Sequence, residues 1–223
     1  DQELNAQRIA LQSQMNPHFL FNMLTIIKAF SKTNETEKIA YTCDYLADII
    51  RYCGNYENNQ VSIETEVRHT ENYLKLMKIR YEEMFTYQIQ LDSNLYTAIQ
   101  IPKLSLQPVI ENCFQHGFKH TLPPWNLQIR FWIQDCCWFL SIADNGIGIS
   151  QEKIQEIYKK AEEFMQCPAD QLSKLKIGGM GLLNTIVRLR LSYKGQVNVQ
   201  IKRLPKGTEV VIGGTIDASN SAC

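Results

Sequence analysis

The chain has 223 residues, room for one large domain or two small ones, and its 23 basic and 23 acidic side chains cancel. That balance argues against a nucleic-acid surface as its main business, and no apolar run approaches the roughly 18 residues that a membrane crossing needs. Seven scattered cysteines without a Cys-x-x-Cys pair read as reduced thiols of a cytosolic compartment, not as a disulfide framework or a zinc site. The chain starts at Asp1 with no leader pattern, so it reads as a piece of a longer protein.

Two helical segments come first. Leu4, Leu11, Met15, His18 and Asn22 share one stripe, and Ile39, Cys43, Leu46, Ile50 and Cys53 repeat at four, three, four and three. The polar stretch "SKTNETEK" joins them, and Gly54-Asn55 ends the second, which makes a helical hairpin. A hairpin of this size has too little core of its own, and pairing with a second copy into a four-helix bundle is the natural solution. The run "QMNPHFLFN" interrupts the first helix. Pro17 removes a backbone donor and crowds the carbonyl of Ser13, at about 3 kcal/mol. One reading is a helix boundary or kink, with His18 and Asn22 capping the freed carbonyl. The other is a reactive histidine held at a distorted turn.

Ser62 is a candidate N-cap for a third helix, with Glu64 and Glu66 near its positive end and Val67, Thr70, Leu74, Met77 and Tyr81 as its buried face. "FTYQIQL" alternates like a strand. "LSLQPVIENCFQHGF" reads as a helix with a proline in its first half. "NLQIRFWIQDCCWFLSIAD" gives two strands around a tight turn near Gln134-Asp135. Residues 151–160 suggest a short helix, and 165–178 lack periodicity and read as a mobile loop. "GLLNTIVRLRLSY" is a helix, and "QVNVQIKRL" and "TEVVIGGTI" are strands around "PKG". The expected class is α+β: a helical hairpin, then one mixed sheet with helices on one face, an α/β sandwich.

Two glycine clusters stand out. "DNGIGI", from Asp144, follows a strand, and "GGMGLLN", from Gly178, opens a helix. Glycine lets backbone amides approach a ligand, and a helix start offers free N–H groups to phosphate. Neither GxxxxGK[ST] nor GxGxxG is present, so the usual nucleotide loops are excluded. "ENCFQH" adds Asn112 and His116 one turn apart with Glu111 beside them, and amide and carboxylate oxygens suit Mg²⁺ alongside phosphate. No HExxH spacing exists for a catalytic zinc.

An Asn-bearing helix, then Asp-x-Gly-x-Gly, then Gly-x-Gly-Leu resembles the ATP-binding fold (the Bergerat, or GHKL, type) of gyrase, the heat-shock chaperone Hsp90, histidine kinases and MutL. "LQSQMNPHFLFNML" together with "LQPVIENCFQHG", "DNGIGI" and "GMGLLN" is similar to LytS/YesM-like sensor histidine kinases, from about Leu11 to about Gly214. The resemblance implies a phosphoacceptor hairpin over residues 1–60, an ATP-binding domain over 61–217 and a tail over 218–223. It implies ATP and Mg²⁺ as cofactors, a homodimer, a response regulator as phosphate acceptor, no nucleic acid, and a membrane-embedded sensor upstream that places the kinase on the cytoplasmic side. His18 is then the phosphoacceptor. Asn22 positions the phosphoryl group or a water, and Asn112 holds Mg²⁺. Glu111 supports the metal or acts on His18, whose next residue is Phe19 and not an acid. Asp144 reads the adenine amine, Gly146 and Gly148 lie along the base, and His116, Gly179, Gly181, Leu182 and Asn184 complete the ATP contacts, with 165–178 as a lid. Gln115 stands where relatives often carry Lys, and Lys119 is a candidate substitute. The rival reading is an ATPase or protein-serine kinase of the same fold without a phosphohistidine. A nucleotide fold kept only as a dimer-forming scaffold is the third.

Overall fold

The computed structural model describes residues 17–54, 60–166, 181–193 and 195–216. Helix α1 (Pro17–Lys32) and α2 (Thr36–Gly54) form the hairpin, joined by a turn in which Asn34 takes a left-handed φ of 54°. Leu4, Leu11, Met15 and the side chains of His18, Asn22 and Cys53 lie outside the described residues, as do Ser13 and the kink read at Pro17. Met23, Ile26 and Phe30 of α1 are buried, and so are Thr42, Tyr45 and Ile49 of α2.

The buried face of α2 is therefore rotated from the expected stripe. Ile39 and Leu46 are only partly buried, while Cys43 and Ile50 face solvent. The reason is a neighbour that the hairpin pattern did not reveal. Helix α3 (Ile63–Tyr81) runs along α2, with Tyr45 against Tyr73 at a ring separation of 6.3 Å, and Lys38 paired with Glu82 just beyond the end of α3. The apolar stripe read from the sequence on α2 is left partly open at Cys43 and Ile50, and Phe21 and Leu24 of α1, which lie outside the stripe read there, are exposed as well.

Ser62 caps α3 as expected, its hydroxyl accepting from the Thr65 N–H at 3.2 Å. Strand β1 (Gln60–Ser62) pairs antiparallel with β3 (Gln100–Pro102) ahead of the main sheet. Strand β2 (Phe85–Leu91) is parallel to β4 (Trp125–Gln134), and β5 (Cys137–Asp144), β7 (Thr208–Thr215) and β6 (Val197–Arg203) follow antiparallel, in the order β2-β4-β5-β7-β6. Alternation sets the faces. Leu127, Ile129 and Phe131 of β4, Trp138, Leu140 and Ile142 of β5, and Val210 and Ile212 of β7 are buried, while Gln128 and Arg130 are exposed. The β4–β5 turn is centred on Asp135-Cys136, one residue later than expected, with φ of 51° and 56° as a two-residue hairpin of primed type requires. Cys43, Cys113 and Cys137 are free thiols, but Cys136 is disulfide-bonded, so the all-reduced expectation fails there.

Two helices differ from their sequence reading. Helix α5 spans Gln151–Gln166 because Ala161 and Phe164 continue the buried stripe of Ile154 and Ile157. The loop expected from residue 165 therefore loses its first two residues to helix, and 167–180 lie outside the described residues. The proline-bearing helix is short: α4 (Gln107–Asn112), with Pro108 in its first turn, followed by one π turn over Cys113–Gly117. Pro108 thus starts the helix instead of interrupting it. The widened turn is closed by the Phe118 N–H donating to the Cys113 carbonyl at 2.8 Å. Helix α6 (Gly181–Ser192) completes the helical layer.

Candidate functional site

Helix α4 and its π turn have two working faces. Phe114 enters an aromatic cluster, 5.0 Å from the Phe85 ring, 5.3 Å from Phe118 and 6.0 Å from Tyr73 of α3. Val109, Asn112, Cys113 and His116, at helical spacing, line the opposite side, where a cavity of about 360 Å³ opens. Its other walls are Ile142 and Asp144 of β5, Gly148 to Ser150 of the following loop, Lys153 and Ile157 of α5, Gly181 to Leu183 of α6, and Thr208 and Val210 of β7. The size and the largely apolar lining suit a flat heterocycle with few polar contacts.

The polar group at its base is Asp144, only 7% exposed at the end of β5. Its Oδ1 accepts the Gly146 N–H at 2.7 Å, and the Thr208 N–H also donates to the carboxylate. The Cys113 thiol lies beside it, with its S–H donating to the Val109 carbonyl at 3.3 Å. Burial raises the Asp144 pKa above the ordinary aspartate value, and the two N–H donors, with the neighbouring thiol, pull it back. The same charge, added to burial, pushes the Cys113 thiol well above its usual range. A carboxylate offers about four lone-pair sites. One buried at a cavity wall can therefore still accept from an exocyclic amine.

Close packing explains the glycines. A Cβ on Gly146 would run into the Gly117 backbone, and the Ile147 N–H donates to the Gly117 carbonyl at 3.0 Å. A Cβ on Gly207, where φ is +94°, would collide with the Asp144 carbonyl. Gly117, Gly207, Cys113 and Thr208 were not singled out from the sequence. The glycines of "QHG" and "PKG" were visible there, but only as turn signals.

The expected site residues fall into three groups. Asn112, His116, Asp144, Gly148, Gly181 and Leu182 meet at the cavity, and Gly146 closes the turn beside Asp144. Glu111 and Asn184 are not among the lining residues. Glu111 is buried, accepts from Gln107 Nε2 at 3.2 Å, and its charge is felt by Tyr73 on the α3 side. Leu183 takes the place expected for Asn184, whose Oδ1 is buried without a partner. His18 and Asn22 share helix α1, with their side chains outside the described residues, and Gly179 lies in an undescribed stretch. The lysine on the lining is Lys153, not Lys119, and its Nζ is held by Glu156 at 2.8 Å.

The glycine-walled pocket with a buried aspartate and an asparagine-bearing helix finds its counterpart among known proteins. Residues 102–218 match the model of the "Histidine kinase-, DNA gyrase B-, and HSP90-like ATPase" family, and residues 6–85 match that of "Histidine kinase". The chain belongs to this ATPase family. It is 26% identical over 204 residues to the sensor histidine kinase YesM of Bacillus subtilis, covering 91% of this chain and 32% of that protein. It is 28% identical to the sensor protein LytS of Streptococcus mutans, covering 90% and 33%. With LytS of Staphylococcus saprophyticus the identity is 31%, over 70% of this chain and 26% of that one. The chain thus spans about a third of the length of these relatives. Among the described residues, no helix is long and apolar enough to cross a membrane.

The cavity fits ATP on its own chemistry. Asp144 provides a buried acceptor for the adenine amine, isoleucine, leucine and valine side chains flank a flat ring, and α6 begins at the cavity with Gly181. Asn112 offers a hard side-chain oxygen on the α4 wall of the cavity that suits Mg²⁺. No group of three or more His, Cys, Asp or Glu among the described residues could hold a metal without help, so phosphate oxygens would have to complete its shell.

Proposed function

We propose that this chain is the phosphoacceptor hairpin and ATP-binding domain of a LytS/YesM-like sensor histidine kinase, divided at about residue 60. It phosphorylates His18 from ATP and passes the phosphate to a response regulator. The observation that carries the reading is the buried Asp144 on the wall of a glycine-lined cavity with Asn112 opposite. Asp144 orients the base, and the amides at the start of α6, with Gly179, face the phosphates. Asn112 holds Mg²⁺, which neutralises charge on the phosphate oxygens. His18 attacks as neutral imidazole, the form whose ring nitrogen carries a free lone pair. Glu111, on the α4 face away from the cavity, is the carboxylate available to orient that imidazole, and Asn22, one turn along α1, positions the phosphoryl group or a water.

The exposed apolar side chains Phe21 and Leu24 of α1 and Cys43 and Ile50 of α2 support a homodimer through the hairpin. The similarity to LytS and YesM supports a longer parent protein with an upstream membrane sensor and this part on the cytoplasmic side. The test is incubation with ATP and Mg²⁺. Acid-labile, base-stable phosphate on the protein, absent from His18→Gln while ATP binding is kept, is the expected result. Phosphate on serine, or ATP hydrolysis with no phosphoprotein, would overturn the reading.

A further inference from the structure

A further buried carboxylate, besides Asp144 and Glu111, lies outside the cavity. Glu66, in the first turns of α3, is 1% exposed. Its Oε2 accepts the Tyr52 hydroxyl at 2.7 Å and the Leu104 N–H at 3.0 Å, and its Oε1 accepts the Leu106 N–H at 3.1 Å. The donors come from the end of the hairpin and from the stretch that leads into α4. Tyr52 is in the last turn of α2, and in an antiparallel hairpin that turn lies beside the first turn of α1, which carries His18. Leu106 is the N-cap of α4, six residues before Asn112. Arg188 of α6 closes the set. Its charge favours the Glu66 carboxylate, and it donates to the carbonyls of Lys103 and Leu104.

The tie is built on both sides of Tyr52. Its ring stacks on His69 at 3.7 Å and 28°, and Lys103 Nζ lies 5.2 Å from its centroid. Stability alone does not call for such a group, because well-packed apolar residues commonly replace buried charges without loss. What a carboxylate adds is direction. It fixes a hydroxyl of α2 and two N–H groups of the β3–α4 connection at set angles.

We propose that Glu66 is a positioning residue for phosphoryl transfer: its carboxylate fastens the end of the hairpin to α4 and α6, two of the helices that wall the nucleotide cavity. His18 and the bound nucleotide are thereby held in one frame. This rests on the functional reading above. Holding reactants in register raises the rate of the chemical step without tightening ATP binding.

Tyr52→Phe removes one hydroxyl and keeps the ring stack. It should slow His18 phosphorylation at saturating ATP by about threefold or more while the ATP Kd stays within about twofold, the signature of lost positioning. Amide exchange at Leu104 and Leu106 should quicken in the same variant. Glu66→Gln, which sets an amide NH₂ against one of the backbone donors, should slow the reaction further. A rate unchanged or raised in Tyr52→Phe, or an ATP affinity that falls in step with the rate, would overturn the proposal. Wild-type protein that gains no phosphohistidine would sink the functional reading instead. The inference would then be judged on exchange alone: faster exchange in Tyr52→Phe upholds the tie, and unchanged exchange ends it.

Discussion

Asp144 and Glu66 are both buried carboxylates whose pKa is raised by burial and pulled back by backbone N–H donors. They differ in what surrounds the remaining acceptor capacity. Glu66 is enclosed by Tyr52, Leu104 and Leu106, which come from other parts of the fold. Asp144 is met by Gly146, Thr208 and Cys113 on one side and by open cavity on the other. The same chemical group therefore joins elements where the protein fills its lone pairs and faces an open cavity where it leaves them unfilled. Burial alone does not separate the two roles.

Substitution by alanine should split the pair most sharply. Glu66→Ala leaves two backbone N–H groups and a hydroxyl without their acceptor. An unpaired buried donor costs about 1–3 kcal/mol, so a stability loss of about 3 kcal/mol or more is expected in urea unfolding. A loss under about 1 kcal/mol would deny Glu66 its joining role. Asp144→Ala should act on binding instead. Losing a hydrogen bond to a charged acceptor costs about 1.5–3 kcal/mol, a ten- to hundredfold weaker ATP Kd with the fold intact. Unaltered affinity by calorimetry would remove Asp144 from the base-reading role.

Acid titration gives the smaller effect. The raised pKa of Asp144 means that it takes up a proton at a pH where an exposed aspartate is still charged. ATP affinity that depends on the carboxylate is then full above this pKa and lost as pH falls through it, by about tenfold per unit. The folded pKa lies above the unfolded one, so the shift itself works the other way on stability. Its stabilising contribution is complete below the unfolded pKa and disappears as pH rises through the folded pKa. Asp144→Asn should flatten the acid loss of ATP affinity relative to wild type. An identical acid profile in the two proteins would assign the loss to other groups.

Much of the sheet was legible in the chain itself. Alternation in "FTYQIQL" and "NLQIRFWIQ" fixed which side chains face the helices, because a strand turns every second residue to the same side. The glycines around Asp144, together with the Asn112–His116 spacing, marked the cavity before any contact was known, since both depend on local backbone geometry. The rest depended on partners far away in sequence. The face of α2 buried by Thr42, Tyr45 and Ile49 was not read, because the stripe that a heptad presents cannot show that α3 will claim the adjoining face. Glu66 was read only as a charge near the positive end of a helix. Its role required Leu104 and Leu106, about 40 positions on, and Tyr52 from the preceding helix. Local pattern determined the elements and the glycine-built wall. Only the tertiary structure, by bringing distant donors onto one carboxylate and leaving the other at a cavity wall, decided which buried acid is enclosed by protein donors and which faces open space.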